Sequence, residues 1–123
     1  MIVGCGIDIV NIHRFSTSAQ NIRFLKRFFH PDEIRYICLS AQNATQSTAV
    51  RFAAKEAFGK ALGTGLYPLT LKEICVKQNK NGKPTLHVYG TTKKKLEENG
   101  VNYIHLSLSH EKDYAIAQVI LEK

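Results

Sequence analysis

The sequence has few cysteines and no long hydrophobic run. Its cysteines are Cys5, Cys38 and Cys75, and their spacing matches no metal-binding pattern. Because all three stand in apolar segments, we expect them to be buried and reduced, as in a cytoplasmic protein. No stretch is long and apolar enough to span a membrane, and no cationic start leads into an apolar signal segment. Neither export nor membrane insertion is therefore expected.

Acidic residues are the scarcer charged type. The chain has 17 Lys and Arg against 10 Asp and Glu, a formal net charge of +7. Such an excess indicates an anionic partner, for which a nucleic acid, a membrane surface, an acidic protein and a phosphorylated ligand all qualify. The sequence has no helix-turn-helix, zinc or RNP signature, which argues against a nucleic-acid-binding module.

Repeats, low-complexity tracts and linkers are also absent, so residues 1–123 are expected to form one domain. The hydrophobic pattern predicts an α+β fold with a mainly antiparallel sheet, one long helix and shorter helices. Helices are predicted from Thr17 or Ser18, from Pro31, over 43–62 with Thr45 or Ser47 near its cap, and over 91–99. Strands are predicted at 2–12, at 69–78 and 84–90 around an Asn81-Gly82 turn, and at 103–109 and 114–122.

Asp8 is unusual because it lies in the apolar segment GCGIDIV, which is predicted to be a strand. Alternation along the strand places it on the face of Gly4, Gly6 and Val10, where we expect the two glycines to leave open space. A carboxylate that is partly removed from water needs a partner. Two interpretations stay open: a structural Asp8 held by a salt bridge or backbone bonds, and an Asp8 that binds a metal at the floor of a cleft.

A second acid lies in the predicted long helix. Glu56 and Lys60 are one turn apart, a spacing that an ordinary exposed ion pair would also explain. The neighbouring stripe is predicted to face the core and consists of Val50, Ala54, Ala57 and Ala61. The residues around the pair are small, which predicts a concave surface for a ligand: Ala49, Ala53, Gly59 and Gly63.

Asp8 and Glu56 are carboxylates from different elements, a combination that suits a hard cation such as Mg²⁺. This ion keeps several waters and is often held by one or two carboxylates together with ligand phosphates. Lys60 would then contact a phosphate as a point charge. The long sequence separation of Asp8 and Glu56 leaves this arrangement open.

A polar strand face precedes His110. In the segment IHLSLSHE, one face is predicted to carry Ile104, Leu106 and Leu108 and the other His105, Ser107 and Ser109. His110 follows where the strand ends, and it would act as a general base, bind phosphate, or be an ordinary exposed turn residue. The next strand is apolar on both sides and should be central, so the polar face beside it is expected to be the wall of a site.

These segments, in this order, resemble the holo-acyl-carrier-protein synthase family, the small bacterial 4′-phosphopantetheinyl transferases. The resemblance covers nearly the whole chain. It rests on GCGIDIVNIHR (4–14), RFLKRFFHPDEIRY (23–36), RFAAKEAFGKALGTG (51–65), NGKP (81–84) and LSLSHEKDYAIAQVI (106–120).

The resemblance implies that family's α+β fold and its reaction in fatty acid biosynthesis. Members transfer 4′-phosphopantetheine from coenzyme A to a serine of apo acyl carrier protein, release 3′,5′-ADP and need Mg²⁺. The positions that match the family's motifs imply that Asp8 and Glu56 are the Mg²⁺ ligands. They also imply that Glu56, Lys60 and His110 are the catalytic residues. Members are typically homotrimers with active sites at subunit interfaces.

Contacts with each of the two substrates are also expected. Coenzyme A is predicted to contact Arg51, Lys60, Gly63, Lys83, Pro84, Ser109 and His110. The acidic carrier protein is predicted to bind Arg14, Arg23, Lys26 and Arg27, with Arg14 foremost because the family has an arginine at the matching position. Asn11 and His13 depart from the family pattern, which bears on carrier recognition more than on chemistry.

The identity of the group that removes the serine proton stays open among Glu56, His110 and a metal-bound water, and we favour Glu56. Two other functions are alternatives. An unrelated Mg²⁺-dependent phosphohydrolase would hydrolyse coenzyme A without a carrier, and a binding-only relative would have lost the site residues that this sequence retains.

Overall fold

The computed structural model describes residues 1–123, in which two antiparallel sheets pack around one long helix. The strands are β1 (Ile2–Asn11), β2 (Ile74–Gln78), β3 (Pro84–Val88), β4 (Tyr103–His110) and β5 (Tyr114–Glu122). The α-helices are α1 (Ile22–Phe28), α2 (Pro31–Cys38), α3 (Ala44–Leu62) and α4 (Gly90–Glu98). The predicted α+β class is confirmed, and no helix is both long enough and apolar enough to cross a bilayer.

The helix starts differ from the sequence-based predictions in two places. Residues 18–20 form only a 3₁₀ turn, and α1 begins at Ile22 because the Asn21 side chain accepts hydrogen bonds from the next backbone N–H groups. The expected capping of α3 by Thr45 or Ser47 is wrong. Both residues lie inside the helix, which begins after Asn43 without a side-chain cap.

The larger sheet has the strand order β1-β5-β4, so the prediction of a central last strand is confirmed. Asp8 pairs with Ala117 of β5, which pairs in turn with Leu108 of β4. The β5 side chains that face α3 are fully buried, and they are Ala115, Ala117, Val119 and Leu121. The sheet therefore packs one face on α3 and leaves the other exposed.

Helix α3 lies unusually close to β1 because that strand has glycines where the two meet. A Cβ atom on Gly6 would collide with the carbonyl oxygen of Ala57, and one on Gly4 with that of Ala61. The predicted open space beside Asp8 is therefore wrong, since the helix backbone fills it. The glycines instead allow the helix and the strand to touch.

A buried ion pair that the sequence analysis did not identify fixes the other side of α3. Lys55 Nζ lies 2.6 Å from Glu33 Oε1, and both side chains are fully buried. Lys55 also donates to the carbonyl oxygen of Ile74, and Glu33 Oε2 accepts the Val76 N–H at 3.1 Å. Because these partners satisfy the buried charges, the pair connects α2, α3 and β2 without leaving an unpaired ion.

The cysteines are free, but only Cys75 is buried as predicted. The expectation was wrong for Cys5 and Cys38. Strand alternation turns Cys5 to the exposed face of β1, and Cys38 is the last residue of α2.

We expect Gly6→Ala to lower the free energy of unfolding by about 1–3 kcal/mol, because the new methyl group must push α3 from β1. Urea denaturation would measure the loss. Cys5→Ala, on the opposite face of the same strand, is the matched control and should change stability much less. Equal effects of the two substitutions would contradict the close-contact explanation.

Candidate functional site

Asp8 and Lys60 form an ion pair where β1 meets α3. Lys60 Nζ lies 3.0 Å from Asp8 Oδ1 and donates a second hydrogen bond, also 3.0 Å long, to the carbonyl oxygen of Ile7. The Asp8 side chain is 15% exposed and that of Lys60 52%. The Asp8 carboxylate is thus paired with Lys60 and is still in contact with solvent.

Glu56 lies one turn before Lys60 and belongs to the same cluster. Burial is the main reason why the pKa of Glu56 is raised, and the negative charge of Asp8 raises it further. The positive charges of Lys60 and Arg14 act in the opposite direction. The two carboxylates are therefore close enough for their charges to repel, and a cation bound between them would relieve this repulsion.

The donors in this cluster fit a hard divalent cation. Asp8 and Glu56 offer only carboxylate oxygens, and they come from two elements that are rigidly packed. Mg²⁺ and Mn²⁺ prefer such oxygen ligands, whereas histidine and cysteine favour softer metals. The structure brings the two predicted metal ligands together, while metal binding itself stays a prediction.

The predicted concave surface of small residues beside Glu56 is wrong. Ala49 and Ala53 are fully buried in the core, and Gly59 packs against the backbone of Gly65. These residues let α3 approach the sheet and do not line a cleft. Gly63, in contrast, is exposed and ends α3 in the left-handed conformation with φ 87°, next to the turn that carries Lys60.

Arg14 lies in the 3₁₀ turn after β1, close enough to Glu56 for its charge to lower the pKa of that carboxyl. Its guanidinium group stacks on Phe15 at 4.9 Å and on Phe52 at 5.6 Å from the ring centroids. Helical spacing places three exposed cations on one face of α1, namely Arg23, Lys26 and Arg27. A shallow depression of about 730 Å³ adjoins this face, lined by Ser16, Thr17, Gln20, Asn21, Ile22 and Arg23.

His110 lies apart from the carboxylates within one chain. Its Nε2 is 2.9 Å from Nε2 of Gln46, which precedes Glu56 by ten residues. Ten residues correspond to about 15 Å along a helix. In addition, β1 and β4 are the two edges of the sheet, with β5 between them. No local sequence signal identified Gln46, because its contact with His110 spans 64 positions.

Arg51 is 2% exposed, so its side chain is part of the interior. It stacks on Tyr36 at 4.2 Å and donates to the Ser47 carbonyl oxygen and to Gln78 Oε1, both at 3.2 Å. Its Nε has no partner. Burial lowers the pKa of Arg51, and the nearby charge of Glu33 opposes this shift. The predicted contact of Arg51 with coenzyme A stays a prediction.

Lys83 and Pro84 lie at the hairpin between β2 and β3, as predicted. The backbone N–H of Lys83 donates to Asn79 Oδ1 at 3.0 Å, and Pro84 begins β3. The Lys83 side chain is exposed. A nucleotide contact at these two residues likewise stays a prediction.

The face of the larger sheet that points away from α3 is apolar and exposed. Ile7 is 58% exposed, Ile9 59% and Tyr114 51%. Ser109 lies on this face by strand alternation. A cavity of about 330 Å³ extends from the apolar side chains of the face to His110. The lining residues are Ile9, Ser109, His110, Glu111, Tyr114 and Ile116. Side chains of this size in such numbers indicate a contact surface.

Comparisons with known proteins agree on one family. Residues 4–119 match the family model described as the 4′-phosphopantetheinyl transferase superfamily. A holo-[acyl-carrier-protein] synthase from Treponema denticola is 50% identical over 122 residues, which are 99% of both chains.

Two solved structures extend the similarity to the fold. The crystal structure of the holo-[acyl-carrier-protein] synthase from Neisseria meningitidis superimposes with a TM-score of 0.91 at 35% identity over all of both chains. The Bacillus anthracis synthase, solved in complex with coenzyme A (3′,5′-ADP), gives 0.81 at 36% identity, covering 98% of this chain and 96% of that one.

We expect the Asp8–Glu56 cluster to bind one Mn²⁺ per chain, measured by calorimetry or electron paramagnetic resonance. Asp8→Asn and Glu56→Gln should each weaken binding by at least about tenfold, because each removes one anionic ligand. Glu97→Gln, an exposed acid on α4, is the control. Unchanged binding in both cluster variants would exclude this site.

Proposed function

Because the chain belongs to the 4′-phosphopantetheinyl transferase superfamily and is a transferase enzyme, we propose that it transfers 4′-phosphopantetheine from coenzyme A to a serine of apo acyl carrier protein. The products are holo acyl carrier protein and 3′,5′-ADP. The observation that carries the proposal is the meeting of Asp8, Glu56 and Lys60, which come from two distant segments of the matched region.

The residues of this cluster fit phosphoryl transfer. When bound by Asp8 and Glu56, Mg²⁺ would neutralise charge on the pyrophosphate of coenzyme A. Lys60 is long and half exposed, so its ammonium group can contact a phosphate oxygen and stabilise charge on the leaving group. Glu56 offers a carboxylate oxygen beside Asp8 and Lys60, so it is the favoured acceptor of the serine proton.

The basic residues around α1 form the proposed docking surface for the acidic carrier protein. Arg23, Lys26 and Arg27 present positive charge, and α1 has no acidic residue to offset it. Arg14 adds a positive charge near Glu56. Charges on such a rim speed and orient encounter, so they would guide the carrier serine toward the carboxylates.

A homotrimer with active sites between protomers is the proposed assembly. The exposed apolar face with Ile7 and Ile9 is expected to be buried in an interface, which a second copy of the chain would provide. The cavity at His110 opens on this face. A neighbouring protomer would then contribute His110 and Ser109 to the carboxylates of the first, which explains their separation within one chain. The free cysteines fit the proposed cytoplasmic role in fatty acid biosynthesis.

The test of the activity is the intact mass of an apo acyl carrier protein after incubation with the enzyme, coenzyme A and Mg²⁺. We expect a gain of one phosphopantetheine, lost in EDTA and in Asp8→Asn or Glu56→Gln. Arg35→Ala, on the exposed face of α2, is the control and should retain activity. Release of products from coenzyme A without any carrier modification would indicate a phosphohydrolase instead.

The shared site is tested by complementation. Asp8→Asn and His110→Ala are expected to be inactive alone, and their co-expressed mixture should recover activity. If each site combines the carboxylates of one protomer with the histidine of the next, about a quarter of sites in an equal mixture keep both. If the mixed oligomers recover no activity, each chain builds its whole site alone.

A further inference from the structure

We propose that His30, Asp32 and Cys75 form a second metal site, which takes Zn²⁺ and is separate from the carboxylate cluster. Each of the three side chains offers one ligand atom, and these atoms lie within 4.8 Å of one another. The cysteine spacing in the sequence gave no sign of such a site. Folding creates it by placing the start of α2 against β2.

The donor set of this site differs from that of the carboxylate cluster. One imidazole nitrogen, one carboxylate oxygen and one thiolate sulfur are a combination that selects Zn²⁺ or a similar transition metal over Mg²⁺. Three protein ligands leave the fourth tetrahedral position to water. The carboxylate cluster would therefore bind Mg²⁺ and the second site Zn²⁺, because their ligand atoms differ.

A single buried carboxylate holds the two ligand-bearing elements together. Glu33 Oε1 accepts the N–H of His30 at 3.0 Å, and Glu33 Oε2 accepts the N–H of Val76, the neighbour of Cys75, at 3.1 Å. The His30 ring also stacks on Tyr89, with 5.1 Å between centroids. The relative positions of His30 and Cys75 are thus set by contacts that do not involve a metal, as a preorganised site requires.

An ion can approach the site from the side of Asp32. The Asp32 side chain is 36% exposed, and a cavity of about 250 Å³ adjoins it, lined by Asp32, Tyr36, Val76, Lys77 and Gln78. Cys75 lies beneath, fully buried. Binding would transfer the Cys75 proton to solvent as the S–H bond is replaced by a sulfur–metal bond. Burial raises the pKa of this thiol to about 12, which opposes that step and lowers the affinity.

Three existing contacts compete with a metal. Lys77 Nζ lies 3.4 Å from Asp32 Oδ2, and Arg35 lies 3.2 Å from Oδ1. His30 Nδ1 accepts the Asp32 N–H at 3.1 Å, a capping bond that coordination would replace. The affinity should therefore be lower than that of a dedicated structural zinc site, and Lys77→Met should raise it.

Co²⁺ is the probe, because cobalt bound to thiolate gives a sulfur-to-metal charge-transfer band in the near ultraviolet. Titration of the full-length protein under reducing conditions should produce this band with a stoichiometry of one per chain, and Zn²⁺ should displace it. Binding of Co²⁺ to Asp8 and Glu56 involves only oxygen and gives no such band. Asp8→Asn should therefore leave the band intact.

Matched variants identify the ligands. Cys75→Ser should abolish the band, and the double variant Cys5→Ser/Cys38→Ser should keep it. His30→Asn retains a residue that caps helices well, so it should leave α2 folded while it weakens Co²⁺ binding by at least about tenfold. Circular dichroism would verify folding. No band in the natural protein, a band that survives Cys75→Ser, or one lost only in the double variant would overturn the proposal.

Discussion

The close contact between α3 and β1 is the constraint on which the candidate site depends. Gly4 and Gly6 have no side chain to hold the helix away, and the backbone at Ala57 and Ala61 occupies the space beside them. Only at this separation does the Lys60 side chain reach both Asp8 and the carbonyl oxygen of the preceding residue. The absence of two methyl groups is thus what allows the charges of the site to come together.

Two neighbouring residues of α3 have different surroundings. Lys55 points into the interior and pairs with Glu33, whereas Glu56 points toward Asp8. An ion pair of this kind stabilises a fold only when the remaining hydrogen-bonding groups of both ions are satisfied, a condition met here by carbonyl and N–H groups at β2. The helix is consequently held from both sides. Functional groups on an element held in this way keep their geometry more precisely than groups on loops.

The distribution of polar and apolar surface fits an enzyme that works as an assembly. The proposed carrier surface on α1 is basic, and the outer sheet face around Ile7 and Ile9 is apolar. One surface favours a transient, charge-guided encounter and the other a lasting contact. His110 lines a cavity at the border of the apolar face, together with Ile9 and Tyr114.

Local patterns in the sequence determined the α+β class, the central position of the last strand, the extent of α3 and the face of β1 that carries Asp8, because each follows from periodicity or turn chemistry within a few residues. Tertiary structure alone decided what lies opposite each face. Glycines that predicted open space are covered by helix backbone, and Ala49 and Ala53 line the core. The pairing of Lys55 with Glu33 and the approach of Cys75 to His30 likewise arise from packing between distant segments. Periodicity specifies the direction of a side chain, but contact depends on how the elements are arranged in space.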